Sequence, residues 1–466
     1  MPGDAARHAV SRQAWELPSL PGPRGHLDVL SRDLDDGFTC VWVLPDELVD
    51  RGTADDLVDI AGARADSVRV QAPQRSRMVV PAVHRWQAPE VTTLPAWARN
   101  TLGLLEFDEP QDPSPIVADR PEETVVDKLR TLFDIPLTGD PLARLVLDEK
   151  LSGKVVVLCG WGGWDTADLG ACVSRFTALL KEHGLAPASR PRLLVAVRED
   201  DLPASVLERA DPVTTKVHWW WDVCGRLDTA TVAASVRRQS PWRTTKGKVA
   251  ILRQQVATEV LIEVAGPDLL LAEHLARSWN GQVSTLAEQI EALPYDAIDD
   301  VLPAEIDGRT GGARPPQALR SAWRKGVVDR WDRRIRISPA AKLSSADHGN
   351  LDTLIWRGQS RALTPLVDGC RARLEKVLRD NASKSVIELL ERGQDTHDWR
   401  RTRSRPGTLE LGAMAWAVSS RRAQLSRPDA ELLFCARDVR NSLAHLRPLT
   451  DEELDQLAAV MPETLW

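Results

Sequence analysis

Five short, mostly apolar runs in the first 221 residues constrain the fold of this chain more than any other feature. They are residues 38–44 (FTCVWVL), 67–70 (SVRV), 155–158 (VVVL), 193–197 (LLVAV) and 217–221 (VHWWW). Apolar runs of four to seven residues without polar alternation suit strands covered on both faces, as in a parallel sheet. Between the third and fourth runs, residues 166–183 read as a helix. Asp165 can cap it, and Leu169, Cys172, Phe176 and Leu180 follow at helical spacing. Strand, helix and strand at these lengths make a βαβ unit. The first half is therefore predicted to be α/β with a mostly parallel sheet, and residues 110–124 (PQDPSPIVADRPEET) to be an exposed excursion.

From about residue 246 the strand signals fade. Residues 251–265 and 269–279 read as helices, 309–316 (RTGGARPP) as a loop, and 314–336 as an Arg-rich stretch carrying Trp323 and Trp331. From residue 351 helices dominate, over 366–381, 383–391 and 409–418, with two more behind them. At roughly 150 residues per domain, 466 residues suggest about three domains. The expected division is an α/β module over 1–245, a helical lid-like or winged-helix-like middle over 246–350, and an all-α bundle over 351–466.

Composition narrows the function classes. The chain is 43% hydrophobic and 27% charged, which excludes a disordered tail or a fibrous repeat. With Lys+Arg at 60 and Asp+Glu at 67, the formal charge is -7. That excludes a globally basic nucleic-acid binder but permits a local basic patch. The six cysteines include no CxxC, so neither a zinc knuckle nor a disulfide framework fits, and no His/Asp set suggests a metal or cofactor. The N-terminus lacks a signal core, and no stretch approaches the roughly 18 apolar residues of a membrane span. A cytoplasmic location with no membrane association is expected.

A nucleotide-hydrolysing α/β domain would place GxxxxGK[ST] after its first strand, because backbone N–H groups there cradle phosphate. Here Val43 is followed by Leu44, Pro45, Asp46, Glu47, Leu48, Val49 and Asp50, with no glycine fan and with negative charge. Gly153-Lys154 and Gly247-Lys248 each precede a valine, so neither is a phosphate loop. The third strand ends Cys159-Gly160-Trp161 with no acid at its tip for Mg²⁺, which argues against ATP hydrolysis. Over about residues 21–358 the pattern nonetheless resembles the AAA+/STAND class, in versions that have lost the nucleotide site. The segments that carry this are PGPRGHLDVLSRDLDDGFTCVWVLPDELV, WWWDVCGRLDTATVAA and Trp-Arg-Gly-Gln at 356–359. The resemblance implies a scaffold or sensor within a multi-protein defence system.

The richest stretch is residues 435–450, CARDVRNSLAHLRPLT. Ser426 can cap a helix with Pro428 and Asp429 in its first turn, Pro448 bars continuation, and Thr450-Asp451-Glu452-Glu453 opens the next helix as a capping box. At about 100° per residue, Leu432, Cys435, Ala436, Val439, Leu443 and Leu446 share an apolar sector. Asn441 and His445, four apart, point away from it together, with Arg440 on their flank. These residue types suit metal-free RNA cleavage. His moves a proton near neutrality, Arg binds phosphate oxygens, and Asn can fix the imidazole or a phosphate oxygen. One helix offers a single set, so a partner copy would complete the site. A second Arg-to-His match, Arg392 to His397, lies in a polar context and is set aside.

This stretch, within the bundle over 351–466, resembles the HEPN family, whose R-x₄₋₆-H motif often carries a polar residue after the Arg. Here that is Arg440-Asn441 with His445. The resemblance implies a metal-independent endoribonuclease that dimerises through the bundle, as in toxin–antitoxin and phage-defence effectors, held in check by regulatory protein partners. Arg440 and His445 would be the essential pair and Asn441 their helper. Arg400, Arg401, Arg403 and Arg405, beside Trp399, are candidates for binding RNA. The alternatives are a non-enzymatic adaptor with a silent bundle, and a nucleic-acid-binding regulator using the Arg/Trp-rich middle.

Overall fold

The computed structural model describes residues 16–72, 123–136, 139–238, 247–292, 312–341, 348–394 and 408–462. Its first half runs α1 (Pro21–Asp35), β1 (Thr39–Val43), α2 (Asp46–Asp50), α3 (Thr53–Ala63), β2 (Ser67–Val70), α4 (Val125–Leu132) and α5 (Pro141–Leu147). Then come β3 (Val155–Cys159), α6 (Thr166–Glu182), β4 (Arg192–Val197), α7 (Ala204–Glu208), β5 (Thr215–Trp219) and α8 (Arg226–Arg237). The second half continues with α9 (Lys248–Ala265), α10 (Leu269–Ser278), α11 (Leu286–Glu291), α12 (Arg320–Arg324), β6 (Val328–Trp331) and β7 (Arg334–Ile337). It closes with α13 (His348–Asn381), α14 (Lys384–Gln394), α15 (Leu411–Ser419), α16 (Arg427–Ala444) and α17 (Asp451–Val460). The chain forms two compact units, one of Asp33–Val43 and Gly62–Val217, the other of Met1–Arg32, Leu44–Ala61 and His218–Trp466.

The α/β layout expected from the sequence is present. All five apolar runs are strands of one sheet, in the order β2-β3-β4-β1-β5. The β2·β3, β3·β4 and β1·β4 pairs are parallel, with Val157 opposite Leu194 and Trp42 opposite Ala196. Every residue of β1 and β3 is buried, as is all of β4 after Arg192. The two outer strands carry charge within their span, at Arg69 and Lys216, and are only partly covered, whereas the one charge of the central strands is Arg192 at the very start of β4. Polar content thus separates central from outer strands. The helix after β3 also forms as its cap predicts, with Asp165 accepting the Asp168 N–H at 2.9 Å. Asp168 in turn accepts the Val125 N–H at 2.7 Å and fixes the start of α4.

In the second unit the structure adds one element and corrects one expectation. The Arg-rich stretch is not simply helical. Its second part is an antiparallel hairpin in which Trp331 pairs with Arg334 across Asp332 (φ 50°) and Arg333 (φ 63°). Both turn residues are left-handed, the geometry of a type I′ turn, which normally signals itself by Asn-Gly or Asp-Gly. Burial of Trp331 and Arg336 offsets the backbone strain of that turn. The helix predicted over 366–381 begins instead at His348 and runs 34 residues through Pro365. Packing of its first half on α9 overrides the local preference of proline to end a helix.

The contact between α9 and α13 is set by the four residues Trp356-Arg357-Gly358-Gln359. A Cβ on Gly358 would lie 2.4 Å from Val260 Cα and 2.7 Å from Val260 N, so only glycine lets the two helix backbones meet. Gln359 is fully buried, donates to the Leu449 carbonyl at 2.9 Å and accepts the Leu449 N–H at 2.6 Å. Trp356 Nε1 donates to the Leu443 carbonyl at 2.7 Å. Helices α16 and α17 are thereby fixed against α13. All six cysteines are free thiols, five of them buried. Among the described residues no helix is long and apolar enough to cross a membrane.

Two substitutions test this junction by urea denaturation. Gly358→Ala drives a methyl group into backbone and should lower unfolding free energy by about 2–3 kcal/mol. Gln359→Leu keeps the volume but leaves two buried backbone groups unpaired, and should cost about 2–4 kcal/mol.

Candidate functional site

Helix α16 starts as its sequence dictates. The Ser426 hydroxyl accepts the Asp429 N–H and donates to the Asp429 carboxylate at 2.6 Å, with Pro428 in the first turn. Arg373 of α13 holds the same carboxylate at 2.7 Å. Leu432, Leu433, Ala436, Val439 and Leu443 are buried, and Cys435 is half-buried. The apolar sector forms as expected up to Leu443.

Leu446 departs from that expectation. The helix ends at Ala444, His445 is its C-cap, and Leu446 follows in the left-handed region at φ 58°. The Leu446 N–H meets the Leu443 carbonyl at 3.2 Å, and the Arg447 N–H meets the Ser442 carbonyl at 3.0 Å. This is a Schellman stop with leucine where glycine is usual. Instead of joining the core, the Leu446 side chain is 63% exposed.

The turn is braced from several sides. The Trp356 indole and the Gln359 amide hold it from α13. The Arg447 guanidinium reaches the Ser442 hydroxyl at 2.5 Å and Glu453 at 2.7 Å, and this arginine holds the Glu453 carboxyl below its usual range. The predicted capping box at Thr450 and Glu453 is present. Trp356, Gln359 and Arg447 are structural supports of the turn that the motif alone does not reveal. Trp356 and Gln359 fall in the Trp-Arg-Gly-Gln segment that carries another resemblance, and Arg447 in the 435–450 stretch, with no local signal for this role.

On this braced turn Arg440, Asn441 and His445 are all exposed. None of their side chains has a hydrogen-bond or ion-pair partner among the described residues. Asn441 and His445 sit one helical turn apart, the His445 N–H bonding the Asn441 carbonyl at 3.0 Å. The set therefore combines a proton-transfer group, a fixed cation and an amide on one solvent-facing edge. Arg400, Arg401, Arg403 and Arg405 lie outside the described residues, as does most of the predicted excursion at 110–124.

Other candidates resolve into structure. Gly160–Gly162 forms a short turn, Gly163 is left-handed at φ 106°, and Asp165 caps α6, so this segment is a strand-to-helix connection. The His218 ring lies edge-on to His26, centroids 6.0 Å apart. After β1, where a phosphate loop would begin, Pro45 stands at the start of the short α2, with Asp46 and Glu47 in its first turn. Asp46 pairs with Arg324 at 2.9 Å and Glu47 with Arg51 at 2.7 Å. A cavity of about 120 Å³ lies there, lined by Glu47, Asp268, Asp329, Trp220, Leu269 and Trp323. Burial pushes the Glu47 and Asp329 carboxyls up to about 7. The cavity thus offers phosphate apolar walls and carboxyl groups in place of the backbone N–H cradle of a phosphate loop. No group of three His, Cys, Asp or Glu side chains is placed to hold a metal among the described residues.

Comparison with protein-family models, curated proteins and solved structures finds no match to this chain.

Two outcomes follow from these local features. Leu446→Gly relieves a left-handed leucine that buries little, and should raise unfolding free energy by about 0.5–1 kcal/mol in chemical denaturation. Asp329 and Glu47 keep protons in the fold that the unfolded chain releases from about pH 4 upward, so stability falls as pH rises toward about 7. Asp329→Asn removes one of these groups while keeping an oxygen for the Asp222 and Arg330 N–H groups. Its melting temperature should drop less between pH 5 and pH 8 than that of the unsubstituted protein. An equal drop in the two proteins refutes the assignment.

Proposed function

We propose that this chain is a regulated, metal-independent endoribonuclease of the HEPN type, an effector of the phage-defence kind. The observation that carries the reading is the exposed, unpartnered Arg440-Asn441 and His445 set on a rigidly held helix end. A solvent-facing His and Arg with no structural partner contribute nothing to packing, yet the surrounding turn is fixed by buried hydrogen bonds. Strain at Leu446 beside His445 supports the same reading, because such backbone outliers cluster at functional sites.

In the proposed reaction the RNA 2′-oxygen attacks the adjacent phosphorus as a base removes its proton. The phosphorus–5′-oxygen bond breaks, and an acid protonates the departing 5′-oxygen. The products are a 2′,3′-cyclic phosphate and a 5′-hydroxyl. His445 serves in proton transfer and Arg440 stabilises the charge on the phosphorane oxygens. Asn441 orients the imidazole or a phosphate oxygen. Base and acid are needed at once, so a second copy of the chain supplies the second set.

The α/β module is proposed as an AAA+/STAND-like sensor or scaffold that does not turn over nucleotide. Its support is the parallel sheet with β1 between β4 and β5, and the carboxyl groups that follow β1 where phosphate would bind.

Purified protein and its His445→Ala variant, each incubated with RNA in EDTA without nucleotide, test the proposal. The unsubstituted protein should yield cyclic-phosphate ends, with rates at least 100-fold lower in His445→Ala and in Arg440→Ala. RNA left intact by the unsubstituted protein, together with equal growth of cells expressing either form, would replace the nuclease by a non-enzymatic adaptor.

A further inference from the structure

A cavity of about 490 Å³ lies between the β6–β7 hairpin and α13. Four guanidiniums line it, those of Arg334, Arg336, Arg357 and Arg361, against the two carboxylates of Glu263 and Asp332. Glu263 is buried and already shared. Arg226 holds it at 2.8 Å, Arg361 at 3.3 Å and Arg336 at 3.6 Å. Arg361 also reaches Asp332 at 3.8 Å. Arg334 and Arg357 are left without any hydrogen-bond or ion-pair partner among the described residues. Arg336 is 7% exposed, and burial holds its guanidinium down to about 10, with Arg357 adding repulsion. Four guanidiniums against two carboxylates leave the cleft with an excess of positive charge, which favours an anion there.

Aromatic walls define which anion. Trp331 forms the floor, with the Arg336 guanidinium 5.2 Å from its ring centroid. Trp356 forms a half-exposed side wall beside Arg357. Cations beside an indole face match a nucleotide, phosphate on the guanidiniums and base against the ring, and the volume suits one nucleotide. Trp356 also belongs to the other site, since its Nε1 bonds the carbonyl of Leu443, two residues before His445.

We propose that this cleft binds a nucleotide phosphate of single-stranded RNA through Arg334 and Arg357, with Trp356 stacking on a base, and that the bound strand is the one presented to Arg440 and His445. The choice of RNA rests on the ribonuclease reading, whereas the nucleotide chemistry of the cleft does not.

The test measures binding in a background that cannot cut. Anisotropy of a fluorescein-labelled 12-nucleotide single-stranded RNA is read with the full-length His445→Ala protein in EDTA. The same protein carrying Arg334→Ala and Arg357→Ala is compared. These two arginines have no structural partners, so the fold should persist, as circular dichroism and an unchanged melting temperature verify. The expected result is at least a tenfold loss of affinity. The slope of log affinity against log salt should fall by about one to two, matching one or two lost phosphate contacts. Trp356→Phe should keep binding, whereas Trp356→Leu should weaken it severalfold.

Equal affinity and equal salt slope in the presence and absence of the two arginines overturn the proposal. ATP and ADP serve as competitors in a second arm. If either displaces RNA and binds more tightly than the 12-mer, the cleft belongs to a free nucleotide and the RNA assignment falls. Binding that depends on Arg334 and Arg357 while the active protein cuts no RNA keeps the cleft and removes only the nuclease.

Discussion

The second unit depends on one buried carboxylate, that of Glu263. It sits near the C-terminal end of α9, where the helix dipole disfavours a negative charge, and it is 3% exposed. Such a group is tolerable only with cations around it. Arg226 of α8, Arg336 of β7 and Arg361 of α13 all supply one. Arg336 further donates to the Glu263 carbonyl, and Arg226 also pairs with Glu259. A single side chain thus fastens a helix, a hairpin and the long bundle helix to α9. Removing it would strand several cations, whereas removing any one arginine leaves the others in place.

The same junction explains why the candidate catalytic turn is rigid while its functional groups are free. The close approach at Gly358 brings α13 onto α9. Gln359, one residue on, then reaches the backbone at Leu449, and Trp356 reaches the backbone at Leu443. The two contacts lie on either side of His445. Both use side chains to satisfy main-chain groups, so Arg440, Asn441 and His445 need not take part in holding the turn. Positioning by neighbours, with the reactive groups left unpaired, is the arrangement that proton transfer requires.

The sequence shows some of this architecture and hides the rest for physical reasons. The central strands are legible because burial on both faces demands unbroken apolar runs, as in VVVL and LLVAV. Helices α6, α16 and α17 are legible because Asp165, Ser426 and Thr450 cap them through local bonds that need no distant partner. The hairpin is not, because its turn is Asp332-Arg333 and its stability comes from Trp331 and Arg336 packing on distant elements. The start of α13 is hidden by Pro365, whose local penalty is outweighed by packing against α9. At the candidate site, Asn441 and His445 are legible as an exposed pair by helical spacing. Leu446 is not, since the projection continues a helix that ends two residues earlier.

Charge is distributed around the hairpin in a way that no linear reading reveals. Asp329 and Arg336 are cross-strand partners, yet they line different cavities. Asp329 joins Glu47 and Asp268 in the apolar cavity after β1, where burial favours the protonated carboxyls of Asp329 and Glu47. Arg336 joins Arg334, Arg357 and Arg361 in the cleft against α13, whose guanidiniums favour an anion. Burial disfavours ionised carboxyls in the first, and guanidiniums outnumber carboxylates in the second. A chain with an overall charge of -7 gains nothing from a general attraction to nucleic acid. Any attraction it has for an anion must therefore be local. Among the described cavities, the one lined by four guanidiniums shares Trp356 with the turn that carries His445.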